Sequence, residues 1–399
     1  MLSVALARQT ILAHIQSLSG ELVPLAETLG RYLSEDIIAG FDIPLWDYSA
    51  MDGYAVCLSD SAAIPTRLPV SQVIPAGATP RPLLPGSAAR IMTGAPIPAG
   101  AEAVIMREDT NEQGESVEIK HAPKKDENIR FKGEDIRAGT VVLKRGTLLG
   151  PSQIGILAAL CLASVPCTRR PVIAVLSTGD ELAEPDQPLT PGKIPSSNAY
   201  ALVGLVQELG AIPLCLGIAR DNRADIEGKL AAAARADLIL TSGGVSMGDF
   251  DLIKDVMTSA GNRMEFWQVA MKPGKPLAFG FIHGIPAIGL PGNPSANMVS
   301  FYQFARPAIL TLLGASVTSL PRIKARLTAS LEKRGGIPHY VLGLLTGGEE
   351  LRVRPSCAQG SGALASMAAA NCFIVVPLES KLARAGELVD CEVFGAIVP

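Results

Sequence analysis

DLILTSGGVSMGDFD (237–251), MKPGKP (271–276) and LPGNPSAN (290–297) are the stretches whose reading decides the fold. Each gathers glycine, proline and small polar residues directly after an apolar, β-branched run, and mostly just before a helical pattern. Loops of this composition bring bare backbone N–H groups close to a ligand, and the N-terminus of a following helix favours negative charge. Lys272 and Lys275 lie in the same neighbourhood. The reading is an anion pocket, for phosphates, on an α/β sheet.

Outward from these strings, residues 171–315 keep one rhythm. PVIAVLS ends in TGDEL and is followed by helical AYALVGLVQELG. AIPLCLGIA ends in RDN and leads into ADIEGKLAAAARA. DLILT gives way to the glycine loop and then DLIKDVMTSAG. After extended KPLAFGFI and IPAIGL, the PGNP loop opens a helix from about Ser295. Such alternation predicts a mostly parallel sheet with helices on both faces. Loops at the carboxyl ends of the strands then line the ligand crevice. Glu181, Asp221, Asp249, Asp251 and Pro294 all fall on loops of that kind although they are far apart in sequence.

The flanks read differently. Residues 40–130 carry short alternating runs (TRLPVSQVI, AARIMTG, AEAVIMRE, SVEIKH) among prolines and glycines, which predicts a small β domain. Pro151 opens a helix from about Ser152 to Ala163, and Ile11, Ile15 and Leu18 suggest an amphipathic N-terminal helix. These two pieces are expected to form a discontinuous linker domain, residues 1–39 with 131–170. The α/β domain is expected over 171–320, and short strands over 321–399 predict a C-terminal β-barrel or sandwich.

Composition narrows the function classes. The chain has 399 residues, 48% hydrophobic and 18% charged, with a formal net charge of −3. That balance offers no general attraction to nucleic acid or to an acidic membrane. The low charged share predicts apolar surface buried between subunits. Ile154 to Val165 is too short for a bilayer span, which needs ~20 residues, and no signal peptide is read at the N-terminus. Seven scattered cysteines without a CxxC, and four histidines, indicate neither a disulfide framework nor a zinc site. A cytoplasmic, reduced protein is expected.

SGGVSMGD offers adjacent glycines, Gly243 and Gly244, and two hydroxyls, Ser242 and Ser246, although it lacks the spacing of a Walker A or GxGxxG loop. A tight strand-to-helix turn capped by serine is the plainer reading. Acids beside a phosphate loop make sense if Mg²⁺ lies between them, because it offsets repulsion between ligand and carboxylates. Taken singly, Asp221 or Asp249 also reads as a helix cap. The prolines around Lys272 and Lys275 limit where those charges point. A second cluster, DYSAMDGYAV and IMTGAPIPAGAEAVIMRE, places Asp52 and Thr93 on glycine turns, and RFKGEDI adds Asp135. The histidines share no spacing with a nucleophile or metal set.

Together these strings resemble the MoeA family, the molybdopterin molybdenumtransferases. The resemblance runs in order through ELVPLAETLGRYLSED, SAMDGYAV, IMTGAPIPAGAEAVIM, GED, GPSQIGILAAL, RRPVIAVLSTGDEL, SGGVSMGDFD, MKPGKP, LPGNP and QGSGALASMAAAN. It implies a homodimer whose central, MogA-like α/β molybdopterin-binding domain is joined by the linker domain, the small β domain and a C-terminal β domain. It also implies insertion of molybdate into adenylylated molybdopterin with release of AMP, helped by Mg²⁺, in a site shared between subunits. By motif, Asp52 and Thr93 would come from the partner's β domain. Glu181, Asp221, Asp249 and Asp251 would line the crevice, with Glu181, Asp221 and Asp251 as metal ligands. Ser242, Gly243, Gly244, Ser246, Lys272, Lys275, Pro291 and Pro294 would hold phosphate, pterin or oxyanion, and Asp135 takes the family's acidic GED position.

Three places depart from the family pattern. Tyr48 stands where many members have Asn. Gln268 stands where some bacterial members have Lys, which removes one cationic contact. KRGGIPHY, near Lys333, replaces an Arg-rich strand. The implied partners are a MogA-like adenylyltransferase and acceptor molybdoenzymes, with no nucleic acid and no membrane. The rival readings are a CinA-like nucleotide pyrophosphatase and a non-catalytic dimeric scaffold.

Overall fold

The apolar runs of residues 171–315 become a six-stranded sheet in the computed structural model. It describes residues 1–245, 252–259, 261–332, 336–356, 364–379 and 382–398. In chain order the sheet elements are β1 (Val172–Thr178), α1 (Ser197–Glu208), β2 (Ile212–Ala219), α2 (Arg223–Ala231), β3 (Leu238–Ser242), α3 (Leu252–Thr258), β4 (Arg263–Trp267), β5 (Ala278–Ile282), β6 (Ile285–Leu290) and α4 (Pro294–Ser300). The strand order is β2-β1-β3-β6-β5-β4. The first four strands are parallel, β5 runs antiparallel to β6, and β4 runs antiparallel to β5.

The pleat explains why the central strands β1 and β3 carry apolar runs on both faces. Ile173 and Val175 of β1, with Leu238 and Leu240 of β3, face one core. Ala174, Leu176 and Ile239 face the other. A strand buried on both sides needs apolar residues at every position. The helices that cover it bury i, i+4 pairs, Leu202 with Val206 in α1 and Ile226 with Leu230 in α2. Asn222 caps α2, its side chain accepting from the Asp225 N–H at 2.9 Å.

The antiparallel edge comes from a two-residue link. His283 (φ 50) and Gly284 (φ 79) join β5 to β6, and a tight turn with two positive φ values produces a hairpin and not a crossover. His283 thus serves the turn with its backbone. The edge strand β4, RMEFW, went unread there.

The chain gathers into two compact units: Met1–Glu35, Arg145–Ile154 and Ala163–Pro399 in one, Asp36–Lys144 and Gly155–Leu162 in the other. The first unit also holds a closed five-strand barrel of Arg322–Leu327, Arg352–Pro355, His339–Thr346, Cys372–Val376 and Leu388–Val393. Leu327, Val341, Leu345, Val353 and Ile374 fill its core. The expected barrel-or-sandwich is therefore a barrel. A helix, Leu364–Ala369, is inserted before its fourth strand in chain order.

The N-terminal helix runs Val4–Ala13 and buries Val4, Ala7 and Ile11. This corrects the expected register: Ile15 and Leu18 lie beyond the helix end, although Ile15 is buried against the same core.

The second unit contains a mixed six-stranded sheet, in order Ala103–Met106, Gly53–Val56, Ala88–Ile91, Thr66–Ile74, Ser116–Ile119 and Thr110–Gln113. The four alternating runs read in the sequence supply four of these strands. Gly53 is required here: a Cβ on it would stand 1.9 Å from the Ile105 carbonyl oxygen. The helix expected from Ser152 is Pro151–Ala159, and Cys161, at φ 59, follows its end.

Candidate functional site

Parallel strands deliver their following loops to one edge, and there the first unit holds a crevice of ≈ 620 Å³. Thr178, Gly179 and Glu181 reach it after β1, Asp221 after β2, Ser242, Gly243 and Gly244 at the end of β3, and Pro291 to Ala296 after β6. The facing wall carries Lys272, Pro273 and Pro276, with His339, Tyr340 and Leu342 from the barrel.

Ser242 is the hub of the floor. It is 3% exposed. Its Oγ accepts from Asn198 Nδ2 and from Asn297 Nδ2, both at 3.0 Å. Those amides also donate to the carbonyls of Gly292 (2.8 Å) and Pro291 (3.0 Å), so one serine ties the glycine turn to the PGNP loop. A hydroxyl has two acceptor positions and one O–H. With both acceptor positions taken, Ser242 can meet a ligand only as a donor, which suits an oxyanion. At the PGNP loop Asn293 caps α4 and Pro294 begins it.

Glu181 and Asp221 are held differently. Asp221 Oδ2 accepts from the Asp180 N–H at 3.1 Å, and Asp180 Oδ1 accepts from the Asp221 N–H at 3.2 Å. This reciprocal pair locks two turns together and leaves Asp221 one free carboxylate oxygen. Lys193 Nζ and Arg220 Nη1 donate to the Asp180 carbonyl, and Arg220 also to that of Leu182. The exposed Glu181 carboxylate folds over Gly179, where an added Cβ would stand 2.5 Å from Oε2. Neither acid forms an ion pair among the described residues.

Lys272 is positioned through its backbone. Its N–H donates to the Pro338 carbonyl at 3.0 Å and its carbonyl accepts from the Tyr340 N–H at 2.8 Å. The barrel thus helps to hold the lysine turn. Burial, with Glu392 adding to it, pushes the Tyr340 phenol up to about 12, so Tyr340 brings no charge to this wall at ordinary pH. Lys275 is exposed and does not line the crevice, although it shares the turn with Lys272.

Asp52 and Thr93 lie in the second unit, and the fold brings them together. Asp52 Oδ1 accepts from the Thr93 N–H at 2.7 Å and from its hydroxyl at 2.9 Å. These bonds, aided by Arg107 and Arg90, hold the carboxyl below its ordinary value. Asp135 is exposed in the same unit, its N–H donating to the Ile43 carbonyl at 3.2 Å. Ser246, Asp249 and Asp251 lie outside the described residues. The sequence reading missed Asn198, Asn297 and the barrel residues Tyr340 and His339. The only signal for Asn297 was an amide on the otherwise apolar buried face of ANMV.

A crevice at the carboxyl ends of parallel strands, on an α/β sheet backed by a barrel, defines a ligand-binding protein of the open α/β class. A family model described as "Probable molybdopterin binding domain" matches residues 174–311. Two others, MoeA N-terminal region (domain I and II) and MoeA C-terminal region (domain IV), match residues 2–161 and 324–394. A molybdopterin molybdenumtransferase of Haemophilus influenzae is 39% identical over 100% of both chains. One from a Nostoc species is 40% identical over 92% of this chain and 87% of that protein. The crystal structure of a molybdopterin biosynthesis moeA protein from Pyrococcus horikoshii superposes with a TM-score of 0.85 at 30% identity, covering 99% of this chain and 100% of that one. The chain belongs to the MoeA family, the molybdopterin molybdenumtransferases. It is an enzyme with a role in molybdenum cofactor biosynthesis, and both the family resemblance and the fold class expected from sequence hold.

Proposed function

We propose that the protein inserts molybdate into adenylylated molybdopterin and releases AMP, with Mg²⁺ required. The observation that carries this reading is the crevice itself: glycine turns and the Ser242 O–H on its floor, Lys272 on one wall, Glu181 and Asp221 on another. Backbone N–H groups and a lysine suit phosphate and molybdate oxygens. The reaction then rests on positioning and charge stabilisation, with no side-chain nucleophile.

The donor set fits magnesium. Mg²⁺ commonly takes one or two carboxylates and completes its shell with phosphate and water oxygens. Among the described residues no group of three or more metal-ligating side chains converges, so those residues alone build no closed cage. Glu181 and the free oxygen of Asp221 would hold the ion, with Asp251 assigned to it from sequence. When bound it would neutralise charge on the pyrophosphate being cleaved.

The same reading includes a cytoplasmic homodimer in which the partner subunit's Asp52 and the partner subunit's Thr93 complete each site. It keeps the four-part division into linker, β, α/β and barrel domains. It also keeps docking of a MogA-like adenylyltransferase and hand-over to acceptor molybdoenzymes. Among the described residues no helix is long and apolar enough to cross a membrane.

The direct test supplies adenylylated molybdopterin, Mg²⁺ and molybdate to the pure protein and measures AMP and active cofactor. AMP release that needs no molybdopterin would favour a pyrophosphatase, and absence of turnover with intact dimers would favour a scaffold. Mixing Asp52→Ala chains with Glu181→Ala chains should restore partial activity if the site is shared. No complementation, with subunit exchange demonstrated, counts against a composite site.

A further inference from the structure

Six buried polar side-chain atoms among the described residues have no hydrogen-bond partner, and Thr178 Oγ1 is the one on the crevice wall. Thr178 ends β1 and is 5% exposed. Its hydroxyl oxygen lies under the glycine turn, 3.0 Å from the place a Cβ would take on Gly243 and 2.9 Å from that on Gly244. Both glycines have positive φ, 95 and 69. The turn therefore passes directly over a hydroxyl that it does not satisfy. The lysine turn repeats the arrangement: Ser300 Oγ, also without a partner, lies 2.7 Å from the Cβ position of Gly274, at φ 102.

A buried hydroxyl without a partner destabilises the fold, and valine would replace threonine there with nearly the same shape and no polar atom. Retaining the hydroxyl makes physical sense if a ligand-bound state uses it. Two successive glycines give the turn above it the freedom to re-orient when an anion engages their N–H groups.

We propose that Thr178 is a positioning residue of the crevice, whose hydroxyl gains its hydrogen bond when a phosphate group engages the Gly243–Gly244 turn. This rests on the phosphate-binding reading of the crevice and goes beyond it by naming a residue that acts through the turn. The ligand class is the phosphate of an adenylate. The bond is absent from the free protein and present in the bound one, so its removal has opposite effects on stability and on binding.

The experiment measures AMP binding by calorimetry and thermal midpoints with and without AMP, for wild type, Thr178→Val and Thr178→Ser. Thr178→Val is expected to raise the midpoint of the free protein, weaken AMP binding roughly tenfold and shrink the AMP-induced midpoint shift. Thr178→Ser, which keeps the hydroxyl, should restore binding even if the valine variant folds poorly. Equal AMP affinity in wild type and Thr178→Val overturns the proposal while leaving the phosphate reading intact. A lowered midpoint with unchanged affinity also overturns it, because the hydroxyl would then be structural. If the wild-type protein binds no AMP, the phosphate reading fails first and this proposal with it.

Discussion

Replacing Ser242 with alanine should destabilise the first unit and loosen the crevice floor together. Ser242 Oγ accepts two amide N–H bonds at 3.0 Å, and the donors differ in their surroundings. Asn297 is 3% exposed, so the N–H it loses has no water to turn to, and stranding a buried donor costs about 1–3 kcal/mol. Asn198 is half-buried and keeps the Gly292 carbonyl, so its loss is about 0.5 kcal/mol, the low end for a replaceable bond. The sum is about 1.5–3.5 kcal/mol. The chain has two tryptophans, and Trp46→Phe leaves Trp267, whose Nε1 donates to the Val245 carbonyl at 2.8 Å. Trp267 fluorescence during urea unfolding therefore reports the unit that contains Ser242. A double-mutant cycle with Asn297→Ala should give a coupling of about 1 kcal/mol. A loss below about 0.5 kcal/mol, the scale of an ordinary surface change, together with zero coupling would refute the hub.

Three other outcomes follow from the same geometry. Glu181→Gln and Asp221→Asn should leave thermal midpoints nearly unchanged and cut molybdenum insertion steeply; early melting with full activity per folded molecule would make both acids structural. Lys272→Ala should lower molybdate-dependent turnover by about 1–3 kcal/mol of transition-state stabilisation, the scale of one charge-assisted hydrogen bond. Its folding should persist because the bonds to Pro338 and Tyr340 are made by backbone, and wild-type molybdate dependence would remove Lys272 from the site. Asp52 has a depressed carboxyl, so the stability it contributes is present above its ordinary value of 3.8 and is lost as pH falls through the lower folded-state value. Thr93→Val, which deletes the hydroxyl bond and keeps the backbone N–H bond, should raise the Asp52 titration part of the way toward 3.8, followed by carboxyl NMR, and an unmoved titration would show that the Thr93 hydroxyl takes no part in the depression.

The legible part of this fold is the part written in local chemistry. Strands buried on both faces must be apolar without interruption, and glycine turns must punctuate them, so β1, β3 and β6 stand out, and the edge strand β2 is read from its own apolar run. Once they are parallel, Glu181, Asp221, Ser242 and Pro294 must share an edge, whatever their separation in sequence. The missed features depend on contacts that no local pattern encodes. Strand β4 is a short, half-exposed edge with too few residues to show a period. The part played by Tyr340 follows from Lys272 pairing with a strand that begins far along the chain. Asn297 is polar on a buried helix face, and only the position of Ser242 explains it. Lys272 and Lys275 look equivalent in MKPGKP, yet the turn sends only Lys272 to the crevice wall.

On the proposed phosphate-binding function, the charge arrangement explains why the crevice contains acids at all. Lys193 and Arg220, the cations next to the Glu181 turn, donate to the Asp180 and Leu182 carbonyls and not to Glu181 or Asp221. Those two carboxylates therefore enter the crevice without an ion pair among the described residues, and Lys272 is its only lysine or arginine among them. Two unit charges at 4 Å repel by about 1 kcal/mol in bulk water and by more where protein replaces solvent. A phosphate ligand brought beside both acids would be rejected unless further positive charge arrived with it. Pairing each acid with an arginine would cure the repulsion permanently, but it would also occupy the oxygens. Carboxylates left open are the arrangement expected where the balancing charge is a divalent cation that comes and goes with the ligand.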